Sequence, residues 1–253
     1  MITLTTILYE GNFAEILNQD SWFFKFKNKY VIKKMLIINN LTSFDLFNEL
    51  TNQLKINNDF DIIFVDDHDK KSLDFFKLNM DKNSTGYWYS IPYFVAILNI
   101  KTPFIFNVSS DCCHEININD DYFEKSINIL NDNNFYPVTT ISWSKHWETF
   151  GVPNGIPNNV TCVGEWEQIN ASNYSNNYAL TDFWCSPVFS DQIFIGHIDK
   201  LKNIDYNCPK MGLYNGPQYG GANAFEARLS EYLAKNNLFR LIYKDKNLYY
   251  KHG

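Results

Sequence analysis

Along the first half of this 253-residue chain, apolar residues come in short runs closed by polar breaks. ITLTTILYE over 2–10 is a β-branched run ending at Gly11-Asn12, a turn signal, and it predicts a strand with a helix to follow. KKMLIINN over 33–40 predicts a second strand. Thr42 or Ser43 then caps a segment in which Phe44, Leu46, Phe47, Leu50 and Leu54 fit one helical face. FDIIFVDDHDKK repeats the theme, with a buried strand over Ile62–Val65 breaking into acid before SLDFFKL turns helical. Three strand-then-helix units in succession predict an α/β layer around a largely parallel sheet.

GYWYSIPYFVAILNI over 86–100 predicts a helix packed on that sheet, and Pro103 introduces the strand FIFNV. DYFEKSINILNDNN, with apolar positions at 122, 123, 127, 129 and 130, predicts an amphipathic helix. The texture then changes. Residues 136–190 carry Pro, Gly, Asn and four of the six tryptophans, Trp143, Trp147, Trp166 and Trp184, which predicts loops with short strands. QIFIGHI (192–198) predicts a late strand, NAFEARLSEYLAKNN (223–237) a helix and LFRLIY a terminal strand. No repeat of 20 to 50 residues appears.

Composition narrows the function. A net charge of -6 and a pI near 5.4 argue against the wide basic surface that a nucleic-acid partner needs. No stretch of about 18 apolar residues occurs and no basic n-region precedes ITLTTIL, so neither a membrane span nor a signal peptide is expected, and the expected location is cytoplasmic. Five cysteines without CxxC spacing fit reduced thiols rather than a disulfide framework. Adjacent Cys112 and Cys113, with no second ligand pair at matching spacing, do not make a zinc site.

Two strands end in acid. FDIIFV runs into Asp66 and Asp67, and FIFNV into Ser109, Ser110 and Asp111. In open α/β sheets ligands bind beyond the carboxyl ends of the strands. A carboxylate beside a buried strand is costly unless it meets donors or a cation. Asp111 therefore reads either as a ligand of Mg²⁺ or Mn²⁺ against a diphosphate or as an Asx-turn cap. Asp66 and Asp67 read either as contacts to a base or ribose or as loop caps.

Strand, helix, IIFVDDHD and then a helix running into FIFNVSSD resembles the nucleotide-binding half of GT-A glycosyltransferases. FSDQIFIGHIDKLKNIDYN and NAFEARLSEYLAKNN resemble their acceptor half, with WavE-like and viral sugar transferases as the nearest flavour. The resemblance implies one Rossmann-like GT-A domain whose mixed, mainly parallel central sheet is flanked by helices. Residues 1–135 would hold a UDP- or GDP-linked sugar and 136–253 a glycan or other hydroxyl acceptor. It implies a donor site of Leu8, Tyr9, Asp66, Asp67, Ser109, Ser110 and Asp111, with Asp111 and the C-terminal His252 on Mn²⁺ or Mg²⁺. The chain departs from the family where Asp-x-Asp is usual, keeping only the last aspartate of Ser109-Ser110-Asp111.

Sugar transfer to a hydroxyl calls for a carboxylate base in an inverting enzyme. Asp191, before QIFIGHI and after the loop Trp184–Pro187, is preferred slightly over Glu226, in the first turn of the last long helix. Their plain alternatives are a strand-end cap and a helix-dipole charge or Arg228 partner. The tryptophans of 143–184 are either core or platforms for sugar rings. An inactive nucleotide- or carbohydrate-binding module on the same fold is the alternative to an enzyme. A nucleotidyltransferase is disfavoured, because ITLTTILYEGNF has no glycine-rich basic phosphate loop.

Overall fold

The computed structural model describes residues 1–9, 22–40, 60–112, 116–143, 182–186, 189–207, 223–245 and 247–250, with positions 11, 45, 48 and 52. The predicted helix over 42–54 lies almost wholly outside them. Eight strands form one sheet in the order β3-β2-β1-β4-β9-β6-β10-β8. They are β1 (Ile2–Tyr9), β2 (Val31–Asn39), β3 (Asp61–Phe64), β4 (Phe104–Val108), β6 (Val138–Thr140), β8 (Phe183–Ser186), β9 (Ile193–His197) and β10 (Arg240–Tyr243). β1 to β4 are mutually parallel, as the strand-then-helix rhythm predicts, whereas β9 runs against both β4 and β6. The short strands β5 (Ile116–Asn117), β7 (Ser142–Trp143) and β11 (Tyr249–Tyr250) make a second, three-stranded sheet.

Both faces of the large sheet are covered, so β1 is buried along nearly its whole length, Thr3, Thr5 and Thr6 included. On one face, Leu4, Leu36, Ile38 and Phe106 pack against Phe23 of α1 (Trp22–Lys25) and Tyr122, Phe123 and Leu130 of α4 (Asp120–Asp132). On the other, Ile37, Ile105 and Phe194 meet α3 (Thr85–Asn99), α5 (Ile198–Lys202) and α6 (Phe225–Lys235). Asn119 caps α4 by accepting from the Tyr122 amide at 3.0 Å, and Ser84 caps α3 by accepting from that of Tyr87. α2 (Asp69–Phe75) and α6 close with the same C-terminal turn. Lys77 (φ 54°) and Asn237 (φ 52°) adopt left-handed backbone while the amides of Leu78 and Leu238 donate to the carbonyls of Leu73 and Leu233.

α3 contains Pro92, whose missing N–H leaves the Trp88 carbonyl without its helical donor. The Asn39 side chain at the end of β2 supplies one, Nδ2 donating to Trp88 O at 2.9 Å. A proline that would weaken an isolated helix here fastens α3 to the sheet. Among the described residues, no helix is long and apolar enough to cross a membrane.

Candidate functional site at the carboxyl edge of the sheet

Because β1 to β4 run parallel, Tyr9, Asn39, Phe64 and Val108 all emerge at one edge. β9 enters at that edge, with Ile193 opposite Val108, and β6 leaves there with Thr140 opposite Phe194. The helices α3 and α6 start there too, joined where Ser90 Oγ donates to Asn223 O at 2.6 Å. The edge thus gathers segments distant in sequence. Asp66, Asp67, Ser109–Asp111, Asp191 and Glu226 all lie on turns or helix starts at this edge, with Leu8 and Tyr9 on the last residues of β1.

The two acid-ended strands finish differently. Among the described strands β3 stands at the edge of the sheet, and Val65–Asp67 form a 3₁₀ turn that leaves Asp66 and Asp67 exposed. Asp69, two residues on, is buried. Its carboxylate accepts from the Tyr87 hydroxyl at 2.6 Å and from Lys82 Nζ. Burial pushes the Asp69 carboxyl up, but hydrogen bonds from Lys82, Tyr87 and the Lys70 amide outweigh it and hold the group below the usual range. Burial and the same carboxylate drive the Tyr87 phenol far above its ordinary value. This brace fixes the turn that presents Asp66 and Asp67.

β4 lies between β1 and β9 and is buried throughout. Its exit continues as a 3₁₀ turn, Ser110–Cys112, in which Ser110 and the Cys112 thiol are buried. The Ser109 amide donates to Gln192 O at 2.7 Å. Just inside, Thr5 Oγ1 donates to Asn107 Oδ1 and Asn107 Nδ2 to Asp191 O, each at 3.0 Å. The Asp191 main chain is thereby locked beside the Ser109–Asp111 turn. Only the backbone of Asp111 is described, and His252 lies outside the described residues, as do the side chains of Trp143, Trp147, Trp166 and Trp184.

A buried tyrosine that sequence reasoning missed senses both the turn and the last helix. Tyr250 on β11 is fully enclosed. Burial drives its phenol far above the ordinary range, Cys112 and Glu226 add to the shift, and a hydrogen bond with Ser190 and the charge of Arg240 oppose it. Glu226 and the Asp111 turn therefore both lie within electrostatic reach of one phenol. Arg228, the partner expected for Glu226, donates to Tyr206 O at 2.9 Å and to Asn223. Toward the second half of the chain the edge carries another unforeseen cluster. Lys125 Nζ bridges Asp121 (3.0 Å) and Asp182 (2.9 Å), and the Tyr243 hydroxyl donates to Asp121. Burial and that carboxylate raise the Tyr243 phenol to about 12.

Asn39 is buried with its amide nitrogen committed to Trp88, and among the described residues its Oδ1 has no hydrogen-bond donor. Asn40 follows with φ 54°, a conformation asparagine tolerates, and ends the strand. No group of three or more His, Cys, Asp or Glu side chains able to hold a metal occurs among the described residues.

No family model and no curated protein matches the sequence. Solved structures do. That of GalNAc-T7 with UDP, GalNAc and Mn²⁺ superposes over 100% of this chain and 43% of its own, with a TM-score of 0.55 at 10% identity. Staphylococcus aureus TarS (1–349) in complex with UDP-GlcNAc matches over 99% of this chain and 57% of its own, with a TM-score of 0.47 at 15% identity. The chain thus spans about half the length of the structures it resembles. With its mixed sheet, flanking helices and acid-bearing carboxyl edge, the chain has the GT-A glycosyltransferase fold.

Proposed function

We propose that this chain transfers a sugar from a UDP- or GDP-linked donor to a hydroxyl of a glycan or other acceptor, with residues 1–135 holding the donor and 136–253 the acceptor. The observation that carries the reading is the convergence, at one sheet edge, of exposed Asp66 and Asp67, the Ser109–Asp111 turn pinned by its Ser109 amide, Asp191 and Glu226. The GT-A fold, seen in a structure that holds UDP and Mn²⁺, supports it.

In this reading Asp66 and Asp67 accept hydrogen bonds from the base or ribose, and the ends of β1 and β2 floor the nucleoside. The donor set suits a hard cation. Mg²⁺ and Mn²⁺ are commonly held by one or two carboxylates plus substrate phosphates, so a lone Asp111 suffices when the diphosphate oxygens fill the remaining positions. His252, two residues beyond the anchored Tyr250, would be the second protein ligand. When bound, such a cation offsets the charge that develops on the departing diphosphate. The chain's own task is to orient the donor and take the acceptor proton. A carboxylate oxygen of Asp191 or Glu226 receives that proton as the acceptor oxygen bonds to the anomeric carbon and the sugar–phosphate bond breaks.

A panel of nucleotide sugars assayed for Mn²⁺-dependent donor hydrolysis, and for transfer, tests the reading. Turnover should fall by about 10² to 10³ in Asp111→Ala, the usual loss when one charge-stabilising group is removed. Asp191→Asn and Glu226→Gln, compared on the active donor, identify the base. Donor binding without turnover anywhere in the panel would favour the inactive binding module, for which the missing first aspartate of the motif speaks.

A further inference from the structure

Away from the acidic edge, where Val31 of β2 pairs with Ile2 at the start of β1, the sheet carries a second concavity. It is a groove of about 460 Å³, a volume typical of small-molecule sites. Phe24, Phe26, Val31 and Phe60 give it an apolar lining, with the rings of Phe24 and Phe60 5.4 Å apart. Among the described residues, every charged side chain that lines it is a lysine: Lys27, Lys33 and Lys34. Residues 25–34 hold five lysines and no acid in a chain of net charge -6.

The lysines are held in different ways. Lys34 Nζ donates to the carbonyls of Phe23 and Phe24, each at 2.8 Å, which seats its charge over the end of α1. Lys33 is balanced by Asp61 at 2.5 Å, and Lys29, outside the groove, faces Asp120 at 3.5 Å. Lys27 is exposed and makes no ion pair among the described residues. Among the described residues the groove's one neutral polar side chain, Asn28, is already committed, Nδ2 donating to Asp120 and Oδ1 accepting from the Tyr30 amide. The described lining thus leaves little to read the hydroxyls of a sugar or the edge of a base. What the groove offers is aromatic and aliphatic surface beside positive charge.

We propose that this groove binds an amphiphilic anion, an apolar chain lying on the phenylalanines and a carboxylate or phosphate head against Lys27. The site is separate from the donor edge and does not depend on the transferase reading. Such a ligand has two sources, a lipid of an anionic bilayer or a free amphiphile.

Calorimetric titration of the whole chain with dodecanoate, and with dodecanol as the uncharged match, tests the assignment. Dodecanoate should bind about fivefold or more tightly, the weight of one lysine near an anionic head, and the advantage should shrink with added salt. Lys27→Glu should remove it, while Lys235→Glu, on the exposed end of α6, should not. Equal binding of the two probes, no binding of either, or an unchanged Lys27→Glu variant would overturn the proposal. Co-sedimentation with phosphatidylglycerol but not phosphatidylcholine vesicles would assign the source to a bilayer. Dodecanoate binding without vesicle binding would assign it to a free amphiphile.

Discussion

The ends of β3 and β4 both carry acid, yet they are built to different tolerances. β4 is a central strand, buried along its length, and the turn after it is pinned by Ser109 to the chain entering β9 and enclosed around Ser110 and Cys112. β3 is a four-residue edge strand whose Asp66 and Asp67 stand in water, steadied from beneath by Asp69, Tyr87 and Lys82. Three strand spacings separate the two ends in the order β3-β2-β1-β4, about 14 Å at the usual interstrand distance. A rigid turn fixes reacting atoms, whereas an exposed one on an edge strand adapts to whatever it contacts. In the donor site proposed above, the diphosphate would lie at the first and the nucleoside toward the second.

Cutting into the rigid side should cost most. Phe106 on β4 is fully buried against Phe26 and Phe123, with ring centroids 5.9 and 5.0 Å apart. Phe106→Ala should destabilise the fold by about 3–5 kcal/mol in denaturant unfolding. A loss below about 1 kcal/mol would mean that β4 is no more rigid than β3.

Next comes the brace under the β3 turn. Asp69→Asn should cost about 1.5–3 kcal/mol at neutral pH, the range for a hydrogen bond to a charged group. The sign with pH follows from the lowered folded-state pKa. The contribution is complete above the unfolded carboxylate value near 4 and disappears as pH falls through the lower folded value. The gap between wild type and variant should therefore begin to close only as pH falls below about 4. A gap that widened in acid would contradict the brace.

The legible part of this architecture was the periodic part. β1, β2, β4, α3, α4 and α6 fall within two or three residues of their predicted bounds, because each has a buried face long enough to leave a pattern. The acid-ended strands were legible because a carboxylate interrupts an apolar run. Strand order was not, so the sequence could not show that Asp66 and Asp67 close an edge strand. The brace was hidden because Asp69, Lys82 and Tyr87 look like ordinary surface and helix residues until α3 packs against the turn. Tyr250 was hidden more deeply. The groups that act on its phenol, Cys112, Ser190 and Glu226, come from three parts of the chain, and a two-residue strand leaves no periodic signal.

The smallest effect belongs to the exposed acids. Asp67→Asn should raise the donor KM by about two- to tenfold and leave kcat unchanged, as expected when a contact made equally in ground and transition states is weakened. A fall in kcat of the size expected for Asp111→Ala would place Asp67 among the reacting atoms and erase the distinction between the two strand ends.

The central claim is that the Ser109–Asp111 turn helps a divalent cation hold a nucleoside diphosphate. Calorimetric titration of UDP and GDP into the wild-type chain and into Asp111→Ala, with and without Mn²⁺, tests it most directly. One nucleotide should bind the wild type only with Mn²⁺ present, and Asp111→Ala should abolish that Mn²⁺ dependence. Binding that ignores Mn²⁺, or that persists undiminished in Asp111→Ala, would contradict the account.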